Sequence, residues 1–320
     1  MKLNLQTTAF VFPGQGSQSV GMGKELAEQF PTAKQIFDEA DSILGFSLSR
    51  LMWDGPAEEL NETINTQPAL YIHSVAAWMT FTNRFDEAQH GLTSTRPACV
   101  AGHSLGELSA LTASGALSFA DGLRLVRTRG ELMKRAGELN PGGMAAILGL
   151  AIPTLDKVCA EASTADEVVQ VANDNCPGQV VISGHKPALE RAIEGAKAAG
   201  AKRALPLAVS IAAHSPLMDS IQNDWNTAVD ACMMKDAEIP VFGNVHAQAM
   251  RTAHELRADI KAQMQSRVRW TESVKEMSGS GIQVYVEAGS GDVLLGMIKR
   301  IDSSAGRFAL GTPKDFEALA

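Results

Sequence analysis

Residues 98–106 read Ala98-Cys99-Val100-Ala101-Gly102-His103-Ser104-Leu105-Gly106, an apolar run that leads into a serine between two glycines. The run is typical of a buried strand, and residues 107–113 that follow it have helical character. Residues 102–106 fit the pattern G-x-S-x-G, in which small residues allow a tight strand-to-helix turn that presents the serine oxygen above a sheet. The stretch therefore predicts an α/β fold with Ser104 as a nucleophile. The alternative is a glycine-rich turn without chemistry.

The N-terminal segment has the same strand–loop–helix pattern. Residues 8–12 form an apolar run that Pro13 stops, and the polar loop Gly14-Gln15-Gly16-Ser17-Gln18 follows before a helix near Met22. Three further elements fit this alternation: a helix at 67–85, a strand at 283–287 and a helix at 292–301, which we expect to end the domain. The alternation predicts a mostly parallel sheet with its functional site at the carboxyl ends of the strands.

Between residues 139 and 206 the pattern changes to that of a small subdomain. Its predicted strands are 144–150, 168–172, 179–183 and 203–207, and its predicted helices are 153–162 and 186–199. Residues 173–178 are rich in turn-forming side chains and are predicted to connect the second and third strands. The order β-α-β-β-α-β is that of a ferredoxin-like unit. We therefore expect a discontinuous α/β catalytic domain, residues 1–138 and 207–320, with a ferredoxin-like subdomain at 139–206.

Composition excludes several classes of protein. Of the 320 residues, 45% are hydrophobic and 20% charged, which is typical of a globular protein. The net charge of -8 argues against a nucleic-acid partner, and no apolar run is long enough to predict a membrane span. The four cysteines are widely spaced and form no CxxC pattern, so a reducing cytoplasm is the expected location. No P-loop, dinucleotide, zinc or calcium motif occurs, and neither a cofactor nor a metal is expected.

A nucleophilic serine needs a general base, and histidine is the side chain whose ordinary pKa suits that role. Among seven histidines, His214 is the leading candidate, because it follows the apolar run 205–213 where the chain returns to the larger domain. The small residues before it would leave room for a substrate. The other six lie in segments that favour packing, connecting or surface positions: His73, His90, His103, His185, His246 and His254.

Arg129 is a charged residue on an apolar helix face. Residues 118–136 predict a helix with a cap formed by Ser118 and Asp121. The apolar stripe of this helix surrounds Arg129 and consists of Leu125, Val126, Leu132 and Met133. A buried guanidinium without a partner is costly, so Arg129 either pairs with an internal carboxylate or binds an anionic ligand. Its planar set of donors suits a carboxylate.

Two further groups could stabilise an oxyanion. Gln15 lies in the polar loop after the first strand, where its amide could contact the oxyanion or a substrate, although it could also belong to a polar turn. Acyl chemistry on Ser104 would also use the backbone N–H of Leu105, which follows the nucleophile.

Six motifs occur in order along nearly the whole chain, and together they resemble a known family. They are Phe12-Pro13-Gly14-Gln15-Gly16-Ser17-Gln18, Thr66-Gln67-Pro68-Ala69, Gly102-His103-Ser104-Leu105-Gly106-Glu107, Arg129-Gly130, Pro177-Gly178-Gln179-Val180-Val181-Ile182-Ser183-Gly184 and His214-Ser215-Pro216-Leu217-Met218. This set is similar to that of the malonyl-CoA:acyl carrier protein transacylases and the related acyltransferase domains of polyketide synthases. The resemblance implies a hydrolase-like α/β core with an inserted ferredoxin-like subdomain.

The resemblance also implies roles for individual residues. Ser104 would carry the malonyl group as an ester, His214 would be the base, and Arg129 would bind the free carboxylate of malonate. Gln15 and the N–H of Leu105 would flank the oxyanion.

A glutamine of this family orients the catalytic histidine through its backbone carbonyl, and Gln263 matches that glutamine. Arg267 stands where the family usually has proline, and Leu108 replaces the commoner tyrosine. We expect the second replacement to be a change of packing.

The activity implied by the resemblance is transfer of malonyl from malonyl-CoA to the phosphopantetheine thiol of acyl carrier protein, in fatty acid biosynthesis. The alternatives are the malonyltransferase subunit of a malonate decarboxylase, a free-standing polyketide synthase acyltransferase, a serine esterase or thioesterase, and a non-catalytic carrier-binding subunit. Because acyl carrier proteins are acidic, an acidic enzyme needs a local basic surface. The candidates are Lys202-Arg203, Arg267 with Arg269, and Lys299-Arg300, each of which could also be an ordinary solvated face.

Overall fold

A computed structural model describes residues 3–88 and 96–319, which form two sheets with helices around them. The strands in these ranges are β1 (Thr8–Phe12), β2 (Cys99–Gly102), β3 (Gly142–Leu148), β4 (Val169–Cys176), β5 (Gln179–His185), β6 (Arg203–Pro206), β7 (Val241–Phe242), β8 (Ala249–Met250), β9 (Val284–Ala288) and β10 (Gly306–Leu310). The α-helices are α1 (Lys24–Gln29), α2 (Pro31–Leu44), α3 (Leu48–Asp54), α4 (Ala57–Leu60), α5 (Thr63–Ala88), α6 (Gly106–Ala113), α7 (Phe119–Leu139), α8 (Ile152–Ala162), α9 (Lys186–Ala198), α10 (Asp219–Ala231), α11 (Ala253–Gln263), α12 (Trp270–Gly279), α13 (Val293–Ile301) and α14 (Pro313–Leu319). None of these helices combines the length and the apolar character that crossing a bilayer requires.

The larger sheet has the strand order β10-β9-β1-β2-β7-β8. Neighbouring strands are parallel from β10 to β7, and only the short edge strand β8 is antiparallel to its neighbour. Apolar clusters cover both faces of the sheet. Phe10 and Phe12 pack against Trp78, while Val11 on the opposite face shares a cluster with Trp270. Burial on both faces explains why β1 is continuously apolar rather than alternating, and the predicted mostly parallel sheet is confirmed.

The smaller sheet takes its four strands from residues 142–206 in the order β4-β5-β3-β6, and all its neighbours are antiparallel. Helices α8 and α9 pack against it, and their apolar residues join those of the strands in a separate core cluster. The element order is the predicted β-α-β-β-α-β, and the predicted fold class is confirmed. The boundaries at 139 and 206 stay a prediction.

Two expectations about element bounds are wrong. The predicted turn at 173–178 is mostly strand, because β4 continues to Cys176 and the turn consists of Pro177 and Gly178. A segment of the larger domain explains the extension. Val268 accepts a hydrogen bond from Asp174 N at 2.9 Å and donates one to Ala172 O at 2.8 Å, so backbone polar groups are paired where local sequence predicts a loop.

The larger domain also does not end with the helix at 292–301. Strand β10 and helix α14 follow, and β10 adds a parallel edge beside β9. The residues of β10 are mostly half-buried, which is why its sequence lacks the strong apolar run of the inner strands.

Candidate active site

Ser104 lies at a sharp turn between β2 and α6, and its backbone has a φ of 52°. The glycines on either side are required by close packing. A Cβ atom on Gly102 would lie 1.9 Å from Gly106 C, and one on Gly106 would lie 2.0 Å from Phe12 O. This positive φ is uncommon for a residue with a side chain and directs Ser104 above the carboxyl end of the sheet. The predicted nucleophile elbow is therefore present.

Asn244, in the turn that follows the neighbouring strand β7, fixes this turn. Its side-chain oxygen accepts a hydrogen bond from Ser104 N at 2.7 Å, and its amide nitrogen donates to Gly102 O at 2.7 Å. Both ends of the turn are therefore tied to one buried side chain. Sequence reasoning missed Asn244, because β7 before it is only two residues long and gives no strand pattern.

His214 lies beside the Ser104 hydroxyl, with 2.7 Å between His214 Nε2 and Ser104 Oγ. His214 Nδ1 lies 2.9 Å from the backbone carbonyl of Gln263, which can only accept, so Nδ1 carries the proton and Nε2 is the acceptor. Burial, together with the positive charge of Arg129, lowers the pKa of His214 to about 3. The imidazole is neutral near neutral pH and can receive the serine proton.

Arg129 also reaches Ser104, and its side chain is buried as the apolar stripe predicts. One terminal nitrogen lies 3.1 Å from Ser104 Oγ and 3.0 Å from Gln263 Oε1, and the other donates to Gln67 Oε1 at 2.8 Å. Burial lowers the pKa of Arg129 to about 10, so the guanidinium is charged at neutral pH.

The hydrogen-bond partners of Arg129 are two neutral amides and the Ser104 hydroxyl. Within residues 3–88 and 96–319 it forms no ion pair with a carboxylate, and its Nε is buried without an acceptor. Of the two alternatives from the sequence, this arrangement favours an anionic ligand. The motif that contains Gln67 is visible in the sequence, but its contact with the arginine is not.

A cavity of about 310 Å³ opens above these residues between the two sheets. Gln15 and Leu105 line it together with Ser104, Arg129 and His214. Apolar side chains from both domains form much of the remaining wall, including Met133, Met144, Val181, Leu207, Ile211, Leu294 and Met297.

The two groups predicted to flank an oxyanion both line this space. Gln15 is exposed, and its side-chain nitrogen donates to Thr63 Oγ1 at 3.2 Å. Leu105 is the N-cap of α6, so its N–H is one of the donors that the helix itself does not pair. The arrangement combines a serine, a neutral imidazole and a fixed cation in one cavity, which suits acyl transfer from a carboxylated donor.

Comparison with known proteins agrees with this chemistry. A family model described as the acyl transferase domain matches residues 9–305. The chain belongs to the acyl transferase domain family. A malonyl CoA-acyl carrier protein transacylase from Bacillus subtilis is 45% identical over 309 residues, which cover 97% of this chain and 95% of that protein.

Solved structures of similar proteins share the fold over nearly the whole length. An acyl carrier protein S-malonyltransferase from Vibrio cholerae has a TM-score of 0.91 and 43% identity, covering 98% of this chain and 100% of that one. A malonyl-transacylase in complex with a type II PKS acyl-carrier protein has a TM-score of 0.89 and 40% identity, with 98% of each chain covered.

The remaining described histidines of this acyl transferase form no hydrogen bond with the Ser104 hydroxyl. His103 Nε2 lies 2.8 Å from Asn175 Oδ1, and His73 Nε2 lies 2.9 Å from the buried carbonyl of Gly311. His185 accepts from a backbone N–H inside the smaller domain, and His246 and His254 are exposed. His90 lies outside the described residues.

Arg267, which replaces the usual proline of the acyl transferase family, is held against the smaller sheet. Its side chain forms an ion pair with Asp156 and contacts Val171 O at 3.4 Å. The backbone carbonyl of Gln263 lies at hydrogen-bond distance from His214 despite this substitution. Leu108, the other departure, is fully buried in the core of the larger domain, as a packing change requires.

Proposed function

We propose that this chain transfers a malonyl group from malonyl-CoA to the phosphopantetheine thiol of acyl carrier protein, through a malonyl ester on Ser104. One observation carries the proposal: the buried cation of Arg129 lies 3.1 Å from the nucleophile and has only neutral partners among its hydrogen bonds. A cation in this position suits an acyl group with a free carboxylate. The names of the full-length relatives, which describe malonyl transfer to acyl carrier protein, support the same activity.

The first half of the reaction forms the ester. His214 Nε2 takes the proton of Ser104 while the serine oxygen attacks the thioester carbon of malonyl-CoA. The N–H of Leu105 and the amide of Gln15 stabilise the negative oxygen of the tetrahedral intermediate. The intermediate collapses as the carbon–sulfur bond breaks, and the imidazolium returns its proton to the coenzyme A sulfur.

The second half reverses these steps with a different thiol. His214 takes the proton from the phosphopantetheine thiol, whose sulfur attacks the ester carbon, and the proton finally returns to the Ser104 oxygen. One thioester replaces another, so the overall equilibrium lies near balance. Selectivity for thiol over water then depends on how the cavity positions the thiol and shields the ester.

The substrate carboxylate also influences the base. Arg129 lowers the pKa of His214, so an unoccupied site holds a weakly basic imidazole. When malonate pairs with the guanidinium, its negative charge offsets this effect and makes His214 a stronger base. Binding of the correct acyl group therefore activates the base, whereas an acetyl group, which lacks the carboxylate, cannot do so.

Intact-mass measurement tests the proposed activity directly. After brief incubation with malonyl-CoA the protein should gain the mass of one malonyl group, and the adduct should move to a phosphopantetheinylated acyl carrier protein when this is added. Loss of the adduct to water regardless of the carrier would instead indicate a hydrolase. The absence of any adduct would contradict the proposal.

We also propose that the chain acts in the cytoplasm. All four cysteines are free thiols, which fits a reducing compartment.

Among the three basic segments, the structure favours the surface formed by Lys202, Arg203 and Arg300 as the place where the acidic carrier docks. These side chains surround one shallow depression beside Gly149 and Gly178. Arg300 donates to Gln179 Oε1 at 3.0 Å, and Gln179 also lines the active-site cavity. The docking surface would therefore lie next to the cavity mouth.

The competing segment is already paired. Arg267 forms an ion pair with Asp156, and Arg269 forms one with Glu272, whereas the three residues of the docking surface form no ion pair with any residue in the ranges 3–88 and 96–319. The two paired arginines have less charge to offer an acidic partner.

Charge reversal on the docking surface should weaken transfer to the carrier. We expect Lys202→Glu, Arg203→Glu and Arg300→Glu each to raise the KM for acyl carrier protein on the order of tenfold at low salt, because complementary charge guides the encounter. Loading of Ser104 from malonyl-CoA should change much less. Lys157→Glu, on the exposed face of α8, is a matched charge reversal that should leave both steps unaltered. A similar KM increase in this control would remove the support for a local docking surface.

A further inference from the structure

Two carboxyl groups are buried together beneath the active site. Glu107 on α6 and Asp259 on α11 have no exposed surface, and both carboxyl groups accept from the same backbone N–H, that of Asn244. One oxygen of Glu107 accepts from Gln263 Nε2 at 2.7 Å and Asn244 N at 3.3 Å, and one oxygen of Asp259 accepts from Asn244 N at 3.2 Å. The other oxygen of each acid is buried and meets no donor within the described residues. A proton held by the pair supplies a donor to these buried oxygens and leaves one negative charge instead of two.

Gln263 and Asn244, which are bonded to this acid pair, contact each part of the catalytic site. Gln263 donates to Ser104 O at 2.9 Å, accepts from Arg129 at 3.0 Å through its side chain, and accepts from His214 Nδ1 at 2.9 Å through its carbonyl. Asn244 holds the backbone N–H of Ser104. Movement of the acid pair would therefore displace the nucleophile, the base and the carboxylate-binding cation together.

We propose that Glu107 and Asp259 share a single proton and act as positioning residues for the acyl-transfer site. The inference rests on the proposed malonyl transfer for its functional meaning, while the shared proton rests on the contacts alone. Neither acid touches the substrate: both act through the amides of Gln263 and Asn244.

The electrostatic surroundings are consistent with a singly charged pair. Burial and the Asp259 carboxylate raise the pKa of Glu107 well above its ordinary value. The charged groups that act on Glu107 within the described chain are Asp259 on α11 and Arg129 on α7, and Gln263 lies between Arg129 and Glu107, bonded to both. A second negative charge would be buried without a further cation, which is costly.

The sign of the pH effect follows from these contacts. Because the pKa of Glu107 is raised by folding, its protonated form stabilises the native state at low pH, and this stabilisation is lost as pH rises through the folded-state value. Two facing carboxylates would then repel each other and release Gln263. The acyl-loading rate should therefore fall on the alkaline side.

A double-mutant cycle tests the shared proton. In Glu107→Gln or Asp259→Asn, an amide N–H replaces the shared O–H and donates to the remaining carboxylate, so each single variant should lose less than about tenfold in loading rate. In the double variant an amide donor faces an amide donor. We expect its loss to exceed the product of the single losses by about tenfold or more.

The pH profile provides a readout that general loss of structure does not change. Single-turnover loading from malonyl-CoA should show an alkaline decline in the wild-type protein, and this decline should be absent in both single variants, since neither retains the shared proton. Glu287→Gln is the control. Glu287 is also a buried acid, and burial raises its pKa to about 7. Its carboxylate accepts from Leu294 N and Leu295 N and forms no hydrogen bond with Gln263 or Asn244. This variant should keep the alkaline decline.

The outcomes separate the two proposals. A second double-mutant cycle uses melting temperatures, measured for the wild type, both single variants and the double variant, and it needs no activity. A double variant that does not fold, while both single variants fold, would also support the shared proton. Additive losses in both cycles, or an alkaline decline that persists in both single variants, would overturn the inference. Wild-type protein that accepts no malonyl group would overturn the proposed function, and the melting cycle would still decide the shared proton.

Discussion

Ser104→Ala is expected to eliminate the malonyl adduct and to lower transfer to acyl carrier protein by about 10⁴-fold or more, as removal of a covalent nucleophile does in related mechanisms. The Ser104 hydroxyl contacts His214 and Arg129, and no other described side chain in the cavity offers an oxygen between base and cation. Intact mass after incubation with malonyl-CoA measures the adduct, and single-turnover transfer measures the rate.

Ser109→Ala provides a matched control for this loss. Ser109 lies in α6, which begins beside Ser104, and its buried hydroxyl has no hydrogen-bond partner within the described residues. The control removes a serine hydroxyl from the helix that follows Ser104 and should keep both adduct and transfer. A malonyl adduct that persists in Ser104→Ala, or an equal loss in Ser109→Ala, would contradict the role of Ser104.

Arg129→Ala should change which acyl group the enzyme prefers. The guanidinium can bind the free carboxylate of malonate through charge-assisted hydrogen bonds, so kcat/KM for malonyl-CoA should fall by about 100-fold or more. Acetyl-CoA has no carboxylate to lose, and its kcat/KM should change far less. The ratio of kcat/KM for malonyl-CoA to kcat/KM for acetyl-CoA, measured with the same carrier protein, reports this selectivity. Errors in the enzyme concentration cancel in that ratio.

The same substitution should act on the base. Burial is the largest cause that lowers the pKa of His214 and the charge of Arg129 is the next, so removal of Arg129 should raise that pKa. The acid side of the loading profile should then move to higher pH. Protonation of His214 would limit activity at pH values where the wild type still loads.

Arg124→Ala is the control for a lost charge on α7. Arg124 lies on the exposed side of this helix, and its side chain forms an ion pair with Asp121 at 3.4 Å. It should leave the malonyl preference intact. An equal loss for malonyl-CoA and acetyl-CoA in Arg129→Ala would remove the carboxylate-binding role from Arg129.

The sequence predicts the main elements of the fold because the apolar residues of a buried helix or strand follow a recognisable local pattern. β1 and β2 are apolar on both faces, and α7 has one apolar stripe, so each can be read from a short window. Where burial is partial or pairing is non-local, the prediction is wrong. β10 is half-buried. The end of β4 has polar side chains, and its backbone pairs with Val268, which is distant in the sequence.

The residues of the site also divide into those that the sequence predicts and those that only the structure shows. The tight turn around Ser104 and the buried position of Arg129 follow from the sequence, because tight turns and misplaced charges are visible in local patterns. The role of His214 as the base stays a prediction, which its position beside the Ser104 hydroxyl supports. The sequence also determined membership of a family whose motifs are preserved in order.

Only the tertiary structure decided how these groups are held. Asn244 lies 140 positions from Ser104, Gln263 lies 134 positions from Arg129, and Glu107 and Asp259, from two different helices, accept from the same backbone N–H. A hydrogen bond between distant polar side chains depends on their direction and separation after folding, and it imposes no periodicity on the sequence around either partner. The nucleophile and its cation can therefore be read from the chain, whereas the buried polar network that positions them appears only when the elements are packed together.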